Sequence, residues 1–520
     1  MSRQDPAPSN TTHGKSPSSS TSPLVHRTDG NSNNSNNSHE HPSHSSSHHT
    51  GAGGLLTIHH EGESGRSGMH LRPFAYILWR SSSQVSMLVN VLWPFVPAAI
   101  ILHYLPGDHT ATLDKWIFAT AYVGMVPCAN LLGFAGQELA RKLPKVAGIL
   151  IETALGSIVE IVLFMILIAK HREADDNDDT SAEEGNLIPV IQAAILGSIV
   201  TNLLLCLGLC FFVGGLRQHT QTFHAVVSEV GSGLLLVAGF GLAIPSAFYS
   251  ALKGETATSH NFTRQKLQDD VLQMSRATSV ILMVAFAIYI FFNARSQHGI
   301  FDEILEADER QDADHAHDLT KEKLTLTECV VAIAASLTLV TLLAVFLVER
   351  IEVIVRTGGV PDQFLGLILL PLVEKAAEHL TAVDEAWDGQ MNFALYHCLG
   401  PSIQTALFNG PLVVVVAWIL DKPMDLNFEI FMVALLVLAI LVVGNFLRDK
   451  ESNYLEGALL VIVYIIIAIA AWYYPDPDVA TSNEFDGIGA GAGAVVAASN
   501  AFKVHIPSAS ASLLQLRVQG

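Results

Sequence analysis

From residue 84 to residue 474 the chain returns again and again to stretches of about 20 predominantly apolar residues, and no other feature restricts its fold as much. At ~1.5 Å per residue a helix of that length crosses a hydrocarbon layer ~30 Å thick. Backbone polar groups in lipid must find partners within the segment itself, so each stretch is expected to be a helix. The expected spans are 84–105, 114–134, 146–169, 187–214, 223–249, 273–293, 326–348, 361–383, 391–420, 427–447 and 453–474. This predicts an all-α polytopic membrane protein with about eleven transmembrane helices. Only 15% of the 520 residues are charged, against roughly a quarter in soluble domains. The span 391–420 carries Gly400, Pro401, Gly410 and Pro411 and is expected to be kinked or interrupted, as tolerated where a helix lines a cavity.

Residues 1–70, rich in Ser, Asn, His and Thr, cannot bury enough surface to offset the entropy of ordering and read as a disordered cytosolic tail without a cleavable signal. Its histidines lack ligand spacing. The formal charge of −20 collects in 173–184 and 302–318, which argues against a nucleic-acid partner. Basic residues set the orientation. Arg141, Lys142 and Lys145 follow the second span, Arg448 and Lys450 follow the tenth, and Arg66, Arg72 and Arg80 precede the first, so these places and the N-terminus are expected in the cytosol. Lys253, Arg350 and Arg356 run against that bias. The tail 475–520 is then a weakly ordered lumenal extension, and Asn261 begins a lumenal glycosylation sequon. Five scattered cysteines read as small buried hydrophobes.

An acidic cytosolic linker, 294–325, separates a first half (71–293, a leading helix plus five spans) from a second (326–474, five spans). Two five-helix units joined this way have opposite topology, the layout of an inverted repeat. Each half carries a carboxylate in mid-run: Glu160 in 145–169 and Glu378 in 364–383. Charge in hydrocarbon is expensive, so such residues point to an ion or proton site. Glu152, Gly156 and Glu160 follow one another at i, i+4 and i+8, with Ser157 alongside, and are expected on one helical stripe. Carboxylates with hydroxyls and carbonyls nearby suit a hard cation such as Ca2+. In the second half Glu374, Lys375, Glu378 and His379 are followed by Ser402 and Gln404; His379 is either a proton relay or a packing residue. Residues 197–202 offer oxygens between small residues, with helix packing an equal explanation, and Asn202 needs a partner in an apolar span. Glu229 is a further intramembrane acid and a possible proton carrier. No phosphate loop, nucleophile elbow or zinc signature points to an enzyme or a bound cofactor.

The segments 197–216, 221–223, 244–248, 275–276, 376–379, 402–404 and 452–457 resemble the cation/proton exchanger family, of the vacuolar calcium/proton antiporter type, over residues 72–475. That resemblance implies eleven spans, an acidic segment between spans six and seven, and a central glutamate in each repeat, matching Glu160 and Glu378 as the cation ligands. The signatures diverge. Where the family reads approximately Asn-Ala-Thr-Phe-Gly-Asn-Ala-Val-Glu, this chain has Glu152-Thr153-Ala154-Leu155-Gly156-Ser157-Ile158-Val159-Glu160. Where it reads Gly-Asn-Ala-Ala-Glu-His, this chain has Glu374-Lys375-Ala376-Ala377-Glu378-His379. Glu229 stands in place of glutamine and Pro401 in place of serine. An ammonium beside an ion-binding carboxylate competes with a metal for it, unless Glu152, Glu229 and Glu374 compensate. Another possibility is that Lys375 replaces the cation in part of the cycle.

The expected function is a secondary antiporter that moves Ca2+ out of the cytosol against protons, its partners being membrane lipid and the transported ions. The alternatives are an exchanger of a monovalent cation or Mn2+, and a transport-inactive membrane regulator. The vacuolar membrane is what the resemblance implies.

Overall fold

The computed structural model describes residues 68–81, 83–106, 110–143, 145–171, 187–254, 263–295 and 323–474. Residues 1–67 and 475–520 of the expected tails, both acidic segments and Asn261 lie outside the described residues. The helices are α1 (Leu71–Arg80), α2 (Val85–His103), α3 (Ala111–Ala140), α4 (Lys145–Gly156), α5 (Ile158–Lys170), α6 (Ile188–Arg217), α7 (Ala225–Leu252), α8 (Arg264–Arg295), α9 (Leu326–Gly358), α10 (362–387), α11 (Met391–Ile419), α12 (Ile430–Phe446) and α13 (Tyr454–Trp472).

Among the described residues eight of these, α2, α3, α6, α7, α8, α9, α11 and α13, are long and apolar enough to cross a membrane. The chain is a mostly helical polytopic membrane protein. The other three expected runs differ for physical reasons. Run 146–169 is broken into α4 and α5; run 361–383 becomes α10, which carries Glu374, Lys375, Glu378, Asp384 and Glu385; run 427–447 yields the apolar but short α12. Helix α1 was not anticipated, because ten residues make too short a run to register; it buries Ile77 against Leu324 and Cys329.

Helix starts follow local chemistry. The Thr325 hydroxyl accepts the Glu328 N–H while the Glu328 carboxylate accepts the Thr325 N–H, a reciprocal cap that starts α9. Asn453 Oδ1 accepts the Leu455 and Glu456 N–H groups at the head of α13.

Helices α6 and α11 form the centre, with 72% and 67% of their apolar windows buried, against 17% for α8 and 28% for α13. The outer helices turn apolar side chains outward, such as Ile281, Val284 and Ile288 on α8 and Ile462, Ile466 and Ile469 on α13, as a lipid-facing surface does. Three π turns widen the inner helices: Thr201–Cys206 in α6, Leu365–Leu369 in α10 and Thr405–Asn409 in α11. The second-half turns each precede a proline, Pro371 and Pro411, whose missing N–H leaves the regular ladder incomplete. The interruption expected in 391–420 is this π turn.

Small residues set the closest approaches. A Cβ on Gly197 would lie 2.3 Å from the Leu367 carbonyl oxygen, so α6 packs directly onto the π turn of α10. A Cβ on Gly457 would lie 2.2 Å from the Phe212 nitrogen, which brings α13 onto α6. Strand β1 (Gln221–Thr222) pairs antiparallel with β2 (Glu451–Ser452), and Ser452 Oγ donates to Gln221 Oε1 at 3.0 Å.

Candidate ion-binding site

The run holding Glu160 breaks at Ser157, which leaves helical geometry at φ −103°, ψ 1° between α4 and α5. The expected stripe of Glu152, Gly156 and Glu160 is interrupted at Ser157; Glu152 and Gly156 line the cavity described below and Glu160 does not. Glu160 instead falls in the first turn of α5, near the positive end of the helix dipole, and is fully buried. Its carboxylate is held from the other half of the chain. Thr405 Oγ1 lies 2.8 and 3.0 Å from its two oxygens and donates its single proton between them, and Asn409 Nδ2 donates to Oε2 at 3.0 Å. Thr405 and Asn409 are the first and last residues of the α11 π turn.

Lys375 completes the arrangement. Its ammonium sits 3.3 Å from Glu160 Oε2 and 3.4 Å from Glu378 Oε2, and its side chain is 1% exposed. The two glutamates singled out in separate halves therefore meet at one positive charge. Glu378 is 23% exposed and lines a cavity of about 130 Å³, together with Glu152, Glu374, His397 and Gln404. That volume holds several waters. Glu160 and Lys375 lie beyond the cavity lining, fully enclosed. The cavity also touches Gln137 near the end of α3 and Asn293 near the end of α8, so it faces the side on which α3 ends and α4 begins. Glu374 is 3% exposed, and both its carboxyl oxygens lack a hydrogen-bond partner among the described residues, an arrangement that is costly unless a proton or a cation joins it.

The remaining expected residues divide. Glu152, Gln404 and Ser157 border the cavity, and Ser157 Oγ has no hydrogen-bond partner among the described residues. His379 pairs through Nε2 with Asn202 Oδ1 at 2.8 Å, so the amide oxygen finds its partner in the other half of the chain, while Asn202 Nδ2 has no hydrogen-bond partner among the described residues. Ser402 Oγ donates to the Cys398 carbonyl of its own helix at 2.8 Å. Glu229 corrects the sequence reading: it lies in the first turns of α7, 72% exposed and 3.8 Å from Lys450 Nζ, and contributes nothing to the cavity lining. Close to the start of its helix, it lies beside Lys450 on the surface of the bundle rather than inside it. Of the three acids expected to offset Lys375, only Glu152 and Glu374 border the cavity.

Sequence reading missed Thr405 and Asn409, although Asn409 was as conspicuous as Asn202, an amide inside an apolar span. It also missed His397, whose Nδ1 pairs with Glu385 Oε2 at 2.8 Å at the cavity wall.

The family described as sodium/calcium exchanger protein matches residues 114–295 and 329–473. Vacuolar cation/proton exchanger 2 of Oryza sativa subsp. japonica is 32% identical over 394 residues, 75% of this chain and 82% of the relative. Vacuolar calcium ion transporter of Cryptococcus neoformans var. grubii serotype A is 29% identical, over 76% of this chain and 75% of the relative. A crystal structure of the selenium-substituted Ca2+/H+ antiporter protein YfkE aligns with a TM-score of 0.56 at 23% identity, covering 74% of this chain and 99% of that one, a likeness of fold.

Proposed function

The chain belongs to the sodium/calcium exchanger protein family, on its cation/proton exchanger branch, and on that premise we propose that it exchanges cytosolic Ca2+ for lumenal protons across the vacuolar membrane. The single observation that carries the proposal is the meeting of Glu160 and Glu378, one from each half, at one cation position at the inner end of a cavity roomy enough for several waters. The vacuolar assignment and the choice of Ca2+ rest on the names of the relatives. Coupling follows from competition, because a protonated carboxyl cannot serve as an anionic ligand and a metal-bound one cannot hold a proton.

The eleven-span inverted repeat is part of the same reading. Its support is reciprocal packing: α6 of the first half contacts α13 and α10 of the second, while α11 of the second contacts α8 and α5 of the first. The side chains cross over in the same sense, Thr405 and Asn409 reaching Glu160 while Asn202 reaches His379. With the N-terminus cytosolic, the cavity opens to the cytosol, and Glu152, Glu374 and Glu378 meet an incoming cation before Glu160 does.

Lys375 favours a second reading. Its ammonium already occupies the position between the glutamates, so a cation must displace it, and a site with a built-in positive charge suits a monovalent ion better than a divalent one. Uptake of radiolabelled calcium into vesicles holding an acid interior tests the proposal. Gradient-dependent calcium uptake is the expected result, sodium or potassium uptake in its place selects the second reading, and no uptake of any cation makes the chain a transport-inactive membrane protein.

A further inference from the structure

Three of the five cysteines, dispersed at 206, 210 and 398 in the sequence, come together in space. Cys398 Sγ lies 3.4 Å from Cys206 Sγ and 3.9 Å from Cys210 Sγ, and all three sulfurs lie within 4.8 Å of one another. Each is 0% exposed and none is in a disulfide. Cys206 closes the π turn of α6, Cys210 follows one turn later, and Cys398 comes from α11. The cluster therefore joins the two central helices, one from each half. It is separate from the carboxylate site: none of the three lines the cavity.

We infer that this triad is a binding site for one soft metal ion of the copper(I) class. Thiolates select soft cations over the hard, oxygen-seeking calcium class, so cargo for the glutamates would not compete here. The geometry fits trigonal coordination. A metal about 2.3 Å from three coplanar sulfurs sets those sulfurs about 4.0 Å apart, close to the spacings observed. Thiols are weak hydrogen-bond partners, and these three are placed against each other. Binding replaces each S–H bond with a sulfur–metal bond and releases the displaced protons to solvent. Because the sulfurs are enclosed, the ion enters only when α6 and α11 part, and once bound it ties the two halves together.

Titration of the reduced, purified full-length protein with copper(I) tests this, read by ultraviolet sulfur-to-metal charge-transfer absorption, which carboxylate ligation does not produce. The expected result is saturation at one equivalent in the wild type, unchanged in the Cys128→Ser/Cys329→Ser variant. Cys398→Ser, which leaves two ligands on one helix, should weaken binding at least a hundredfold. A Cys206→Ala/Cys210→Ala/Cys398→Val variant, which keeps the site apolar should the serines disturb folding, should abolish the band. No band in the wild type, a band that persists without the three cysteines, or equal loss in the Cys128/Cys329 variant overturns the inference. The readout is made in detergent and is independent of whether the carboxylate site transports calcium.

Discussion

Glu160 and Glu378 occupy corresponding places in the two halves, yet their surroundings are unlike. Glu160 is sealed in, held by a hydroxyl, an amide and an ammonium, all from the second half. Glu378 faces the cavity and, among the described residues, is paired with Lys375. The backbone differs too: the Glu160 run breaks at Ser157, whereas the Glu378 run stays helical past a π turn. One acid is thus fixed and the other approachable, although the same side chain sits within an apolar run in each half. Tertiary partners, rather than the residue itself, set which carboxylate meets solvent first.

The strongest way to break this comparison is to neutralise each acid in turn. Glu160→Gln and Glu378→Gln should each lower proton-driven cation uptake at least a hundredfold, measured in vesicles. Their stabilities should part company. Glu160→Gln removes one partner of a fully buried ion pair, which typically costs about 3 kcal/mol or more, and thermal unfolding in detergent should show a clearly larger fall than for the partly exposed Glu378. Equal falls would mean that the two carboxylates are equivalent after all.

Lys375→Asn sharpens the comparison next, since it releases both acids at once. A charge pair about 4 Å apart interacts by about 4 kcal/mol at an effective dielectric of ~20, and a tenfold affinity change needs only about 1.4 kcal/mol. Divalent affinity, measured by calorimetry, should rise at least tenfold. An unchanged or lower affinity would show that Lys375 supports the site rather than competing within it.

Two glycines on the central helices give a smaller, structural contrast. Gly197→Ala would drive a Cβ to 2.3 Å from the Leu367 carbonyl and should destabilise the protein by about 1–3 kcal/mol. Gly400 has nothing within 4 Å of the same position, and Gly400→Ala should stay within about 0.5 kcal/mol. Denaturation of the two variants in detergent measures both.

The smallest effect lies in the segment between α11 and α12. Burial pushes the Asp425 carboxyl up to about 6, against the downward pull of the Asn427 N–H and the Gln192 amide that donate to it. A carboxyl raised on folding contributes stability that is complete below about pH 4 and is lost as pH rises through about 6. Asp425→Asn cannot ionise, so it should gain on the wild type between pH 4 and 7 by roughly 1 kcal/mol, allowing for screening at a partly exposed group. Melting curves across that range give the sign. A gap that narrows as pH rises would contradict it.

The apolar runs by themselves determined that the chain is helical and membrane-embedded, because hydrocarbon leaves a backbone almost no alternative. They also marked Glu160, Glu374, Glu378 and Asn202 as side chains in need of partners, because an unpaired polar group in lipid is costly. Which partners Glu160, Glu378 and Asn202 found was settled only in three dimensions. Thr405, Asn409 and Cys398 are distant in sequence from what they touch, so no spacing could reveal those contacts. Periodicity placed Glu152 and Glu160 on one stripe, but the helix is interrupted at Ser157 between them and only Glu152 lines the cavity. Glu229 looked intramembrane for a related reason: composition gives the length of a run, but only the assembled bundle decides which of its ends reaches water.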